Sequence, residues 1–157
     1  MSFQKAHNVS NELAEVVVTT QPVASTGWTT TAQPFNTVPT VGGVRFRVIE
    51  VGYTVTAAGT NTADADAFDF GILGSTSAFV DAGGIPANPA VGTTISTSQG
   101  GADALSFRDA GDGNVDADGV PFLTEGQVLS VLPTGNVSNG PTVVFFARLA
   151  PYIQYKD

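Results

Sequence analysis

Over long stretches of this chain, apolar side chains fall at every second position. The clearest stretch is residues 44–57, where Val44, Phe46 and Val48 share one face and Arg45 and Arg47 the other. Past Val48 the apolar set moves to Ile49, Val51, Tyr53 and Val55. Side chains in a strand alternate with period two. Such a change of phase therefore requires a β-bulge, or a strand buried over different lengths on its two faces.

The same alternation predicts further strands. Residues 13–20 centre on Val16, Val17 and Val18, and residues 68–73 alternate Phe68, Phe70 and Ile72 with Asp69, Gly71 and Leu73. A turn follows at 74–77, and 78–80 opens a short element. Within the Gly-, Pro- and Ala-rich stretch 81–104, residues 93–97 are the strand candidate, and 105–108 and 120–123 are short candidates beyond it. Residues 124–133 and 141–152 read as two strands joined by the turn-rich link 134–140, with Ile153 and Tyr155 extending the last one. Residues 21–43 break the pattern: Pro22, Pro34 and Pro39 remove ladder donors, and Trp28 and Phe35 are the large apolar exceptions. The bland reading of this stretch is a loop across the end of a sandwich with Trp28 filling the core. The functional reading is a subunit-contact segment with Trp28 and Phe35 as anchors.

No segment shows helical periodicity. About eight to ten short strands between turn signals predict an all-β fold, a two-sheet, jelly-roll-like sandwich. Residues 1–12 are polar and lack periodicity, which predicts an extended N-terminal arm on a single domain spanning 13–157.

Composition agrees. The chain has 157 residues, enough for one domain with a real core. Eighteen Gly and nine Pro supply the turns that many short strands need. With 42% hydrophobic and only 13% charged residues, much of the surface has to be neutral. The net charge of −8 argues against a nucleic-acid partner, since phosphate binding needs clustered Lys and Arg, and here the six basic residues are scattered. The apolar runs are too short to span a bilayer, and Met1–Asn8 has no apolar signal core, so no membrane partner is expected. The absence of cysteine removes disulfides, thiol catalysis and thiolate metal sites together.

The reactive inventory is small. His7, the lone histidine, sits in the polar arm, and there is no Gly-x-Ser-x-Gly elbow and no phosphate loop. No carboxylate pair stands out, no catalytic residues are assigned and no cofactor is expected. One metal motif is present. Asn114, Asp116, Asp118 and Glu125, with Gly119, match the calcium-loop spacing of ligands at positions 1, 3, 5 and 12 with Gly at 6. Asn in place of Asp at the first position, Pro121 where a β-like residue is usual and the lack of flanking helices depart from that pattern; the competing reading is an acidic turn. Asn8-Val9-Ser10 and Asn136-Val137-Ser138 match the glycosylation pattern by chance.

The order of segments resembles a known group. The stretch Phe46-Arg47-Val48-Ile49-Glu50-Val51-Gly52-Tyr53-Thr54-Val55-Thr56 is followed by Phe68-Asp69-Phe70-Gly71-Ile72-Leu73-Gly74 and Ser77-Ala78-Phe79-Val80-Asp81-Ala82. Glu125-Gly126-Gln127-Val128-Leu129-Ser130-Val131 and the closing strand 140–151 complete it. Over residues 44–151 this resembles small virion proteins of tailed bacteriophages, the capsid decoration (cement) proteins and related head spikes. The resemblance is one of pattern, without a signature motif. It implies a β-sandwich or jelly roll that forms a homotrimer, is made in the host cytoplasm and sits on the outer capsid surface, clamping major capsid protein subunits. The rival readings are a tail-fibre or spike receptor-binding module and a carbohydrate- or calcium-binding sandwich.

Overall fold

The computed structural model describes residues 15–24, 33–35, 45–61, 65–100, 104–108, 114–115, 119–124, 126–133 and 139–152. Among these there are strands and turns and no helix. The strands are β1 (Val16–Thr19), β2 (Val23–Ala24), β3 (Gln33–Pro34), β4 (Arg45–Ala57), β5 (Ala65–Ile72), β6 (Ser75–Ile85), β7 (Thr94–Ser96), β8 (Phe122–Leu123), β9 (Leu129–Pro133) and β10 (Thr142–Tyr152).

They form two antiparallel sheets. Sheet A has the order β1-β10-β4-β7, with β2 on the β1 side of β10 and β8 pairing β4 alongside β7; sheet B has the order β3-β9-β5-β6. With β1 and β2 taken as one interrupted strand, and β7 and β8 as another, eight strands remain. Their orders are first-eighth-third-sixth and second-seventh-fourth-fifth. This is the double Greek key of a jelly roll. The two C-terminal strands, adjacent in sequence, therefore lie in opposite sheets: β9 pairs β5 while β10 pairs β4.

The phase change in β4 is a bulge. Arg148 pairs with Glu50 and Leu149 with Val48, leaving Ile49 as the extra residue. Ile49 is exposed, while Phe46 and Val48 before it and Val51, Tyr53 and Val55 after it are all in the core. β10 needs no such correction: Val143, Phe145, Ala147 and Leu149 point inward without a break.

Aromatic side chains from both sheets fill the space between them. Phe145 of β10 lies edge-on to Phe68, Phe70 and Tyr53, with ring centroids 5.1, 5.6 and 6.1 Å away. The Tyr53 hydroxyl donates to the Gly84 carbonyl at 3.1 Å, so the one polar tip in this cluster is bonded across the sandwich.

Three expectations are revised. The element opening at 78–80 is part of an eleven-residue strand that runs through Gly83 and Gly84. Gly83 marks a close approach, because a Cβ there would lie 2.8 Å from Phe68 Cδ2 and closer still to its neighbouring ring carbon. Residues 105–108 are not a strand. They run beside β6, with Leu105 buried and the Arg108 amide donating to the Phe79 carbonyl at 2.9 Å. The break at 21–43 contains β2 and β3, and Phe35 lies in the core at 3% exposure, 6.1 Å from the Phe70 ring. Phe35 is thus a core residue and offers no exposed anchor on this chain. The arm 1–12 and Trp28 lie outside the described residues.

The register makes a prediction for two adjacent phenylalanines. Phe145→Ala should cost about 3–5 kcal/mol, because it opens a cavity between the sheets. Phe146→Ala, on the outer side, should cost about 1 kcal/mol. Urea unfolding of both variants measures the contrast; equal losses would contradict the register.

Candidate functional site

A hydrogen-bonded set of polar side chains lies on the outer face of sheet A. Its centre is Glu50, 7% exposed although its neighbours in sequence are Ile49 and Val51. The bulge at Ile49 turns it outward, opposite Arg148 on β10.

The remaining groups come from β7 and the turn after it. Thr97 holds that turn on β4: its amide donates to the Val51 carbonyl at 3.0 Å, and its hydroxyl accepts from the Val51 amide at 3.1 Å. Ser96 and Ser98 are thereby aimed at the carboxylate. The Ser96 hydroxyl donates to Glu50 Oε1 at 2.6 Å, and the Ser98 hydroxyl donates to the same oxygen. Arg148 Nη1 donates to Glu50 Oε2 at 3.0 Å, while its Nε donates to Glu15 Oε2 at 3.1 Å just ahead of β1. Gly52 completes the face. A Cβ there would fall 2.6 Å from Ser96 Cβ and 2.8 Å from Phe146 Cζ, so the bare backbone lets β7 and the Phe146 ring close over it.

Burial alone would push the Glu50 pKa up. The Ser96 and Ser98 hydroxyls and then the Arg148 guanidinium outweigh it and hold the carboxyl below its ordinary value. A carboxylate so stabilised is a poor proton acceptor near neutral pH. Both of its oxygens are engaged by protein donors, and both serines act as donors to it. The chemistry this arrangement supports is bracing: one buried anion ties β4, β10, the β7 turn and, through Arg148, the start of β1. The outer Glu15–Arg148 contact is largely solvent-exposed and adds little by itself.

The calcium-loop candidates are only partly described. Asp116, Asp118 and Glu125 lie outside the described residues, as does His7. Asn114 is described, and its Nδ2 donates to Gln127 Oε1 at 2.7 Å and to the Phe122 carbonyl at 3.3 Å. Gln127 Oε1 also accepts from the Thr124 amide at 2.8 Å. The Phe122 amide donates to the Asn114 carbonyl at 2.9 Å, and Val115 bridges Pro121 antiparallel. A β-bridge thus lies within this loop, and Gly119 takes a left-handed φ of 77°. Among the described residues no three acidic, His or Cys side chains come together as a metal cluster.

No protein-family model matches the chain, and neither a curated protein nor a solved structure does.

Reading the sequence for reactive motifs missed Glu50, Ser96, Ser98 and Arg148. The available signal was a carboxylate inside an apolar run at the point where the strand changes phase.

Glu50→Gln should lower stability by about 1–3 kcal/mol at neutral pH by removing the charge from these hydrogen bonds. Because the folded pKa is lowered, Glu50 contributes stability above the ordinary carboxylate range and loses it as pH falls through the folded value. The gap between wild type and variant should therefore narrow on acidification, as read from urea midpoints across pH. A gap that widened in acid would reverse this assignment. For the 114–125 loop, the expected outcome is a melting temperature unchanged by chelator. A drop of many degrees that Asp116→Ala abolishes would establish a calcium site instead.

Proposed function

We propose that this protein is a structural virion component. In this reading it decorates and stabilises a tailed-bacteriophage capsid by docking, as a homo-oligomer, on the shell of major capsid protein. The observation that carries the reading is the closed Glu50 network: this polar cluster braces a sheet and leaves both carboxylate oxygens occupied. A domain built this way works through its surfaces. The low charged content of 13% supports it, since broad neutral faces can pack against a protein shell without stranding ions. The jelly-roll layout adds support by analogy alone, because capsid and lectin domains share it. The β-pattern of residues 44–151 is what tilts the choice toward the capsid.

In this reading attachment falls to residues 1–12 and to Trp28. Trp28 is the residue type suited to an interface anchor, and the polar arm 1–12 is a suitable strap.

A mass-spectrometric census of purified phage particles should find this chain in many copies per head, and it should co-sediment saturably with purified shells. Deleting residues 1–12 should leave a cooperative melt but weaken co-sedimentation at least tenfold, about 1.4 kcal/mol. Trp28→Ala should weaken it as well. Few copies confined to the tail would favour a receptor-binding module. A chain absent from the particle, or an arm removable at no loss of binding, would remove the basis for the capsid reading.

A further inference from the structure

Four asparagines lie among the described residues, and they differ in one chemical respect. An asparagine loses its side-chain amide as ammonia when the main-chain nitrogen of the next residue attacks the amide carbon. The reaction needs an N–H on that next residue, room around it, and a side-chain amide that is not held elsewhere. Glycine is the best successor, because it has no Cβ to crowd the attack.

Three of the four fail a requirement. Asn61 is buried, its Nδ2 donates to the Pro86 carbonyl at 2.9 Å, and β-branched Thr62 follows it. Asn114 is held through Nδ2 by Gln127 Oε1 and the Phe122 carbonyl, and β-branched Val115 follows it. Asn88 is exposed, with φ 47°, but Pro89 follows it and has no N–H.

Asn139 meets all of them. It is exposed in the turn ahead of β10, at φ 56°, and Gly140 follows it. Among the described residues, neither its side-chain amide nor the Gly140 N–H makes a hydrogen bond. Its main-chain tie is to Thr60, whose amide donates to the Asn139 carbonyl at 2.7 Å. Gly59 packs beside the same segment: a Cβ there would fall 2.8 Å from the Gly140 carbonyl carbon and 2.6 Å from the Pro141 nitrogen. Ring closure requires rotation about the Asn139 ψ out of the left-handed turn, and the Thr60 bond resists it.

We propose that Asn139 is a site of spontaneous deamidation in the folded protein, ahead of the other described asparagines. The Gly140 nitrogen bonds to Asn139 Cγ, the Cγ–Nδ2 bond breaks, and Nδ2 leaves as ammonia with the proton of the Gly140 amide. The product is a five-membered succinimide. Water opens that ring at either carbonyl and gives aspartate or isoaspartate. The sum is asparagine and water to acid and ammonia. Either product places a new negative charge beside Thr60. Isoaspartate also routes the chain through the former side chain and lengthens it by one methylene. The carbonyl that accepts from Thr60 then belongs to a free carboxylate no longer joined to Gly140. The tie between 59–61 and 139–141 is lost with it. The inference is independent of the capsid reading.

Peptide mapping by mass spectrometry tests it on the full chain, incubated folded at mildly alkaline pH in heavy-oxygen water. The peptide spanning Asn139 should show the amide-to-acid mass change with one heavy oxygen from the solvent, faster as pH rises. The aged chain, rich in isoaspartate, should melt below the fresh one. Gly140→Ala should slow the change severalfold, since Gly140 is not at positive φ and alanine can take its place. Asn139→Gln should abolish it. Circular dichroism melts show whether each variant folds, and the solvent label on wild type reads the reaction without them. An Asn139 that stays intact in the folded chain overturns the proposal, whether or not the urea-unfolded chain converts. So does earlier conversion at Asn61, Asn88 or Asn114, or a folded Gly140→Ala chain that converts as fast as wild type. A fully isoaspartyl chain with an unchanged melt overturns the lost tie to Thr60.

Discussion

One extra residue in one strand sets the layout of this molecule. Val143 to Leu149 of β10 alternate without interruption, so β4 has to absorb the mismatch, and it does so at Ile49 and again at Thr56 near its end. Without the bulge at Ile49, either Phe46 and Val48 or Val51, Tyr53 and Val55 would face solvent. With it, both sets reach the core, and the aromatic cluster around Phe145 can join the two sheets. The same step throws Glu50 outward beside Arg148, where β7 and its turn close over it.

Core and outer face are therefore coupled through β4. Gly52 is where the coupling is tightest: its missing side chain admits both the Phe146 ring and β7. A cavity between the sheets would disturb the spacing of Arg148 and Glu50, and loss of the carboxylate would loosen the edge formed by β7. The buried anion is tolerated because its hydrogen-bond donors come from both β10 and the β7 turn, which offsets the penalty an isolated buried charge would carry.

The sheet edges are short, proline-bearing or covered: β1 and β2 are separated by Pro22, β3 ends at Pro34, β7 has three residues and 104–108 runs beside β6. At the loop 114–125, Asn114 and Gln127 pair with each other and with nearby backbone.

Much of the architecture is legible in the residues. Period-two alternation in β4 and β5 and the β-branched and aromatic runs of β1 and β10 mark strands, and the phase change past Val48 calls for a bulge or for faces buried over different lengths. Other features depend on contacts between residues far apart in sequence. Gly83 and Gly84 fall in a Gly-, Pro- and Ala-rich stretch that marks no strand there, until the Phe68 ring is seen lying against Gly83 inside β6. Phe35 reads as a surface anchor until Phe70 is placed against it. Which sheet receives β9 and which β10 is a matter of long-range pairing, and so is the meeting of Glu50 with Ser96, Ser98 and Arg148. Local sequence determined where β1, β4, β5, β9 and β10 lie and which side of β4 and β5 is apolar, since these follow from backbone geometry and side-chain type. Only the tertiary structure decided which strands are neighbours and which polar groups share a site, because those depend on a packing that no single segment encodes.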